Sequence, residues 1–409
     1  MRTYGGVSQD RGRSVQQTAD GGYIIAGQTW SYGAGSRDVY LIKTAADGDT
    51  VWTRTYGGTA EDIGHSVQQT SDGGYIVAGQ TYSTDGTHNN VYLVRTDADG
   101  NALWARAYGG SSHEYGYSVQ QTSDGGYIIA GRAYSFDDEA YDVYILRTDS
   151  IGDTLWTRAL GGIRNDEGHS ARQTFPDEGY VVAGWKGSFG TPSTGDVYLI
   201  KMDADGDTTW TRTYGGPPGN GAYSVRQMGD GGFIIAGWTY RSGARDVYLV
   251  RTDAAGDTMW TRAYGGADDD EARSVELTSD GGYIIGGWTE SFGLSAPDVH
   301  LIKTRPDPAA IHESKPTNAG FSLETVPNPT NTDASIRFDL PLIHDTHLAI
   351  YNLLGQEIRE ILKMRKSAGV HMATWDGKDS HGHSVPPGIY FIRLQAGDQV
   401  ATQKIVLIR

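Results

Sequence analysis

One stretch, Ser66 to Arg106 (SVQQTSDGGYIVAGQTYSTDGTHNNVYLVRTDADGNALWAR), occurs six times in this chain with small changes. The copies begin at Ser14, Ser66, Ser118, Ser170, Ser224 and Ser274, spaced by 52, 52, 52, 54 and 50 residues. A fixed period of this size means one supersecondary unit per copy, stacked as an array, a solenoid or a propeller. Four short runs in each copy suit strands. In the second copy they are Ser66–Thr70, Tyr75–Thr81, Val91–Thr96 and Leu103–Tyr108. Tyr, Ile, Val, Thr and Trp dominate them, residue types that fit a pleated surface. SDGG (Ser71–Gly74) and DADGN (Asp97–Asn101) supply tight hairpin turns between them. No segment has a sustained helical period.

Four antiparallel strands repeated at about 50 residues read as propeller blades. The second run is apolar on both faces, as a strand sandwiched between neighbouring blades must be. A solenoid would need capping repeats, and none is visible. The chain opens with Arg2-Thr3-Tyr4-Gly5-Gly6, matching Arg54–Gly58 at the end of a fourth strand. The sixth copy stops at Leu301–Thr304, before its fourth strand, and Arg305-Pro306 follows. The expected fold is therefore all-β: a six-bladed β-propeller over residues 1–306, closed by pairing of Arg2–Tyr4 with Leu301–Thr304. The SVQQT-type strands are expected innermost, with Gln16, Gln68, Gln120, Gln173 and Gln227 making the channel polar.

Charge separates the chain into two parts. The net charge is −16, yet residues 311–409 hold ten basic and ten acidic residues. The first 310 residues hold the other 24 of 34 basic and 40 of 50 acidic ones. Such an acidic surface excludes a nucleic-acid partner, because phosphates need a basic face. Absence of Cys rules out disulfides, thiol catalysis and cysteine-ligated metals. No apolar run approaches the roughly 20 residues of a membrane helix. No leader is read before the first strand, which starts at once after Met1.

Residues 307–320 shift to Pro, Ala, Ser, Lys and Asn, a linker composition. Seven strand-like runs follow over 321–409, an immunoglobulin-like sandwich pattern. Pro327-Asn328-Pro329, IRFDLP (Ile336–Pro341), LAIYNLLGQEI (Leu348–Ile358), AGVHMATWDGKDSHG (Ala368–Gly382), PPGIYFIRLQAGD (Pro386–Asp398) and QKIVLIR (Gln403–Arg409) recur in order. This series resembles the type A C-terminal sorting domain of the type IX secretion system. It is also similar to the Ig-like domain of flagellar hook-capping proteins. The resemblance implies export by secretion machinery that reads residues 321–409, and a secreted or outer-membrane-surface location. The repeats resemble the Gly-rich propeller repeats of bacterial and archaeal surface proteins.

Functional residues are expected where the copies differ. The first-to-second and third-to-fourth strand turns scarcely vary. The loops after Gly-Gly and those between second and third strands vary, and in a propeller these share one face. Invariant turns on one face and variable loops on the other is how binding surfaces are usually built. Trp185, Trp238 and Trp288 follow the Ala-Gly or Gly-Gly of the last three copies, where Gln28, Gln80 and Arg132 stand in the first three. Exposed Trp stacks on sugars and anchors proteins; buried Trp only fills a wedge between blades. Loop acids Glu61, Asp62, Asp166 and Glu167 join them as binding candidates, although nearly every copy has such acids and solvated loop charge explains them better. No Ser/His/Asp order and no HExxH stand out, and DADGDT (Asp203–Thr208) is too short for a calcium loop. Neither catalytic residues, nor a metal, nor a cofactor are therefore assigned. The expected function is a monomeric binding or adhesion protein for a glycan or an extracellular protein. A polysaccharide hydrolase or lyase is the alternative.

One further pattern concerns loop bases. Donors Arg13, His65, Tyr117, His169, Tyr223 and Arg273 precede each repeat's Ser, and acceptors Asp38, Asn90, Asp142, Asp196, Asp246 and Asp298 precede each third strand. Each donor is expected to bond the acceptor of its own blade, forming six polar latches.

Overall fold

A computed structural model describes residues 2–82, 88–135, 139–187, 195–216, 219–293 and 297–305, and, towards the C-terminus, 322–326, 330, 334–340, 344–352, 356–367, 369–397 and 399–408. The chain divides into two compact units, Met1–Asp307 and Pro308–Arg409. The expected linker and the tips of several second-to-third strand loops lie outside the described residues.

Every described element of the first unit is a strand or turn. The first copy forms β1 (Asp10–Gln17), β2 (Tyr23–Thr29), β3 (Asp38–Thr44) and β4 (Thr50–Tyr56), an antiparallel meander in the order β1-β2-β3-β4. Four more four-stranded sheets repeat it, with first strands Asp62–Gln69, Glu114–Gln121, Asp166–Gln173 and Asn220–Gln227. The sixth sheet has three strands, Asp270–Leu277, Tyr283–Thr289 and Asp298–Lys303. The first strands of all six surround one channel, so the sheets stand as the blades of a β-propeller.

Local chemistry explains the meander. In the first hairpin Gly21 takes φ +83°, and the Asp20 carboxylate accepts the Gly22 N–H at 3.1 Å. Such a turn needs positive φ and a short polar side chain beside it. In the first five sheets the second and third strands are largely buried on both faces. Ile24, Ala26, Val39 and Leu41 of the first sheet pack against Val67, Tyr75 and Val77 of the second in one core cluster. The same cluster recurs at the later junctions. Each fully buried Ile or Leu contributes on the order of 1.5–3 kcal/mol.

Closure of the ring by the N-terminal segment is not observed. Among the described residues, Asp298–Lys303 pairs only with Tyr283–Thr289, and Arg2–Tyr4 forms no ladder with it. Instead the Tyr4 hydroxyl donates to the Gly48 carbonyl at 2.6 Å and Arg2 pairs with Asp49 at 2.5 Å, both in the first sheet.

The second unit packs a three-stranded sheet (Ser322–Val326, Ala334–Leu340, Gly369–Trp375) with a four-stranded one. The latter runs Glu357–Lys366, His344–Tyr351, Gly388–Ala396, Gln399–Leu407. The inner faces share a core of Ile336, Phe338, Trp375, Leu348, Ile350, Ile392, Leu394 and Ile405. That is the Ig-like sandwich expected from the seven runs.

Candidate functional site: the channel mouth

A backbone irregularity builds the site. In every sheet the first and second strands slip register by one residue: Gly12 faces Gly27 and Ser14 faces Ala26, leaving Arg13 as the extra residue. The same bulge holds His65, Tyr117, His169, Tyr223 and Arg273. A bulge bends the strand and re-aims the extra side chain. It also explains the glycine in the middle of each second strand, where a Cβ on Gly27 would overlap the Arg11 carbonyl oxygen.

The six bulge residues line one end of a channel cavity of about 940 Å³. Below them lies a tier of serines. The Ser14, Ser66, Ser118, Ser170 and Ser224 hydroxyls accept a backbone N–H from the next sheet at 3.2–3.4 Å. A third tier holds Gln16, Gln68, Gln120, Arg172, Arg226 and Glu276. Gln173 and Gln227, expected here, lie one position further along. Their amide oxygens accept the Ser123 and Phe175 N–H groups at 2.8 Å and tie neighbouring turns together. Arg172 and Arg226 hold their channel positions instead. Arg226 pairs with Glu276. Burial, with Arg226 nearby, pulls Arg172 down to about 9.

Four rings form a continuous arc at the mouth. His65 meets Tyr117 edge-on at 5.4 Å, Tyr117 stacks on His169 at 5.2 Å, and His169 meets Tyr223 at 5.0 Å. The Arg273 guanidinium covers Tyr223 at 4.1 Å. Burial, helped by Arg13, pushes His65 down to about 4, so its ring is neutral at pH 7. Burial also raises the Tyr117 hydroxyl, which stays protonated, against the pull of Arg132. Two charged clusters flank the arc. Glu167 joins Arg132 and His169, and Glu271 joins Arg245 and Arg273. Burial opposes ionisation of Glu167, but its bond to His169 and the Arg132 charge hold it below the usual range.

The structure does not bring the expected latch partners together. Arg13 donates to Gln28 at 3.0 Å, and His65 Nε2 meets Gln80 at 3.2 Å. The acceptor set lies at the junctions between sheets. Asp38 and Asp62 flank Gly57, Asn90 and Glu114 flank Gly109, Asp142 and Asp166 flank Gly161, and Asp246 and Asp270 flank Gly265. Asp196 instead faces Asn220, whose amide donates to it at 3.3 Å. The exposed Asp298 ends this series. The bulge turns the donors inward, while the acceptors start third strands and meet the first-strand acids of the next sheet.

Of the binding candidates, Trp238 and Glu167 belong to the mouth. Trp238 lies under the Arg245 guanidinium at 4.7 Å and beside Tyr240 at 5.5 Å. Trp185 and Trp288 are half-buried, opposite Glu167 and Glu271 in their ladders. Asp62 and Asp166 are buried and accept the Gly58 and Gly187 N–H groups. Glu61 pairs with Arg37 across the first junction. Sequence reading missed the bulge arc and the Arg172–Arg226–Glu276 tier. The mid-strand glycine opposite each bulge was the available signal. Among the described residues of the second unit, His347, Glu357 and Glu360 offer ligand atoms within 4.8 Å of one another. The His347 Nε2 atom lies 3.3 Å from a Glu360 carboxylate oxygen.

Residues 328–399 match the FlgD Ig-like domain family. The C-terminal unit thus contains a FlgD Ig-like domain, with the sandwich core described above. Part of the chain is 27% identical, over 216 residues, to the regulatory protein FlaEY of Caulobacter vibrioides. The match takes in 45% of this chain and 21% of that protein, so the chain spans about a fifth of that relative's length. Among solved structures, the β-propeller domain of the Trilobed protease from Pyrococcus furiosus aligns at a TM-score of 0.42 and 8% identity, over 91% of this chain and 94% of that one. Sqt1 from Chaetomium thermophilum aligns at 0.43 and 12%, over 98% and 96%. Puromycin hydrolase aligns at 0.45 and 14%, over 87% and 54%. At TM-scores below 0.5 these likenesses carry nothing about activity. No helix among the described residues is long and apolar enough to cross a membrane.

Proposed function

We propose that this is an exported or surface-held binding protein whose repeat unit captures a glycan or extracellular protein at the channel mouth. In this reading the FlgD Ig-like domain is the segment read by type IX secretion machinery. The arc His65–Tyr117–His169–Tyr223 supports the reading most. Rings with apolar faces and polar edges stack on sugars, and the flanking Arg and Glu side chains supply directional bonds. The test is a glycan-array screen of the full chain, repeated with Tyr117→Ala and Tyr223→Ala. Binding that both changes weaken at least tenfold is the expected result. Binding indifferent to both would move the site elsewhere. Deleting residues 321–409 in a type IX-competent host should leave the protein inside the cell.

A polysaccharide lyase or hydrolase is the second reading. It is favoured by the Arg132–Glu167–His169 cluster, which the first two sheets lack. Release of unsaturated or reducing sugar ends by any glycan that binds would select it.

A further inference from the structure

Five junctions between successive sheets are built alike. Each has a serine hydroxyl accepting an N–H from the next sheet at 3.2–3.4 Å. Each has a fourth-strand Trp packed on an aromatic ring of the next sheet, from Trp52 on Tyr75 at 5.7 Å to Trp260 on Tyr283 at 6.2 Å. If every junction turned the chain by one sixth of a circle, the sixth sheet would meet the first. It does not. Val299 and Leu301, on the outward face of the sixth sheet, are 89% and 68% exposed. Val15 and Tyr23, on the facing side of the first, are 65% and 37% exposed. Their equivalents at the five formed junctions are all 6% exposed or less. Nothing lies within 4 Å of a Cβ built on Gly286, where the first five sheets carry a buried alanine.

The N-terminal segment identifies what the gap fits. Tyr4 reaches the Gly48 carbonyl as Tyr56 reaches Gly100 and Tyr108 reaches Gly152, all at 2.6 Å. Arg2 pairs with Asp49 as Arg106 pairs with Asp153. Arg2–Tyr4 therefore sits where the outer strand of a sheet preceding the first one sits. In a six-sheet ring that strand would also ladder with Asp298–Lys303, and it does not. Among the described residues, no fourth strand lies beside Asp298–Lys303 and no third strand beside Arg2–Tyr4; a fourth, first, second and third strand, in that order, would join the two. That is one period of the repeat.

We propose that the gap is filled by one further copy of this same repeat, on polypeptide other than that forming sheets one to six, giving a seven-sheet ring. Its fourth-strand run, of T-x-W-T-R-x-Y type, ladders onto Asp298–Lys303. Its remaining three strands cover Val299, Leu301, Val15 and Tyr23 and ladder with Arg2–Tyr4. An exposed apolar face, with a strand edge that no described strand pairs, invites such pairing.

The test inserts a duplicate of Asp253–Thr304 after Thr304 in the full chain. The expected result is a higher melting temperature and a several-fold loss of hydrophobic-dye fluorescence. Amides of Asp10–Gln17 and Asp298–Lys303 should exchange at least tenfold more slowly than in the 409-residue chain. A control needs no insertion to fold: V299K/L301K in the 409-residue chain should leave its melting temperature within about 2 °C, because the face is open. A large drop for that variant, or slow exchange at Leu301 in the unaltered chain, would mean that six sheets close by themselves and would overturn the proposal. So would a concentration-dependent dimer that V299K/L301K disperses, since the open face of a second whole chain, and not a further repeat completing the ring, would then cover it.

Discussion

Asp38 is buried and faces the buried Asp62 across Gly57. Burial raises its carboxyl, and the Asp62 charge adds to this against a bond from the Ala34 N–H. A carboxyl raised on folding holds a proton that the unfolded chain has lost, so stability falls as pH rises above about 4 through the folded value. The second sheet has Asn90 at this position. Asp38→Asn should therefore raise the melting temperature at pH 7 by about 2–4 °C, with no gain near pH 4. Scans at both pH values decide it; an equal effect at each would show that folding does not raise the Asp38 carboxyl. His65 gives the opposite sign. Its folded value is lowered to about 4, so the unfolded chain takes up protons first. Its contribution to stability is intact above about pH 6.5 and is lost as pH falls towards 4. His65→Gln should flatten that part of the melting-temperature profile.

At the scale of strands, the meander was legible because period, turn residues and apolar runs agreed; the second, third and fourth strands fell where those signals put them, while each first strand begins about four residues earlier, at Asp62 and not Ser66 in the second copy. The bulge was not. It depends on one glycine facing a carbonyl on the neighbouring strand, a relation that no single strand contains. Reading His65 or Tyr117 as a loop-base latch followed from that gap, since without a bulge neither side chain turns into the channel. Gly131→Ala should thus be costly, because its Cβ would overlap the Tyr115 carbonyl. A loss of about 1–3 kcal/mol in chemical denaturation is expected, with Tyr117 fluorescence altered. The third-strand cation was equally hidden. Arg147 is buried, bonds Asp124 in its own first turn at 2.5 Å and donates to the Tyr180 hydroxyl of the next sheet at 2.8 Å. Lys43 and Lys201 make only the turn bonds at this position. Arg147→Lys should keep the turn and lose the inter-sheet bond, since Lys lacks the fork of donors. A double-mutant cycle with Tyr180→Phe should give a coupling of about 1 kcal/mol; additivity would show that the bond contributes nothing.

Over the whole molecule, charge and cohesion are divided between the two units. The Ig-like sandwich has its own core around Trp375 and Phe338, and the sheets of the repeat unit are held by separate clusters at each junction. Two cores without shared members imply two thermal transitions. The chain's excess of acidic residues lies wholly within residues 1–310, while 311–409 are balanced. Self-repulsion destabilises a compact state of high net charge, and salt screens it beyond a Debye length of roughly 10 Å at 0.1 M. Salt also weakens exposed pairs such as Arg106–Asp153, but such pairs contribute little to stability. Screening of the net charge acts on every acid at once, so it should outweigh that loss. Calorimetry of the full chain at low ionic strength and again at about 0.5 M NaCl should show one transition moving upward and the other nearly still. The mobile one should vanish when residues 311–409 are expressed alone. A shift shared equally by both transitions would mean that local ion pairs, and not the uneven net charge, set the salt response.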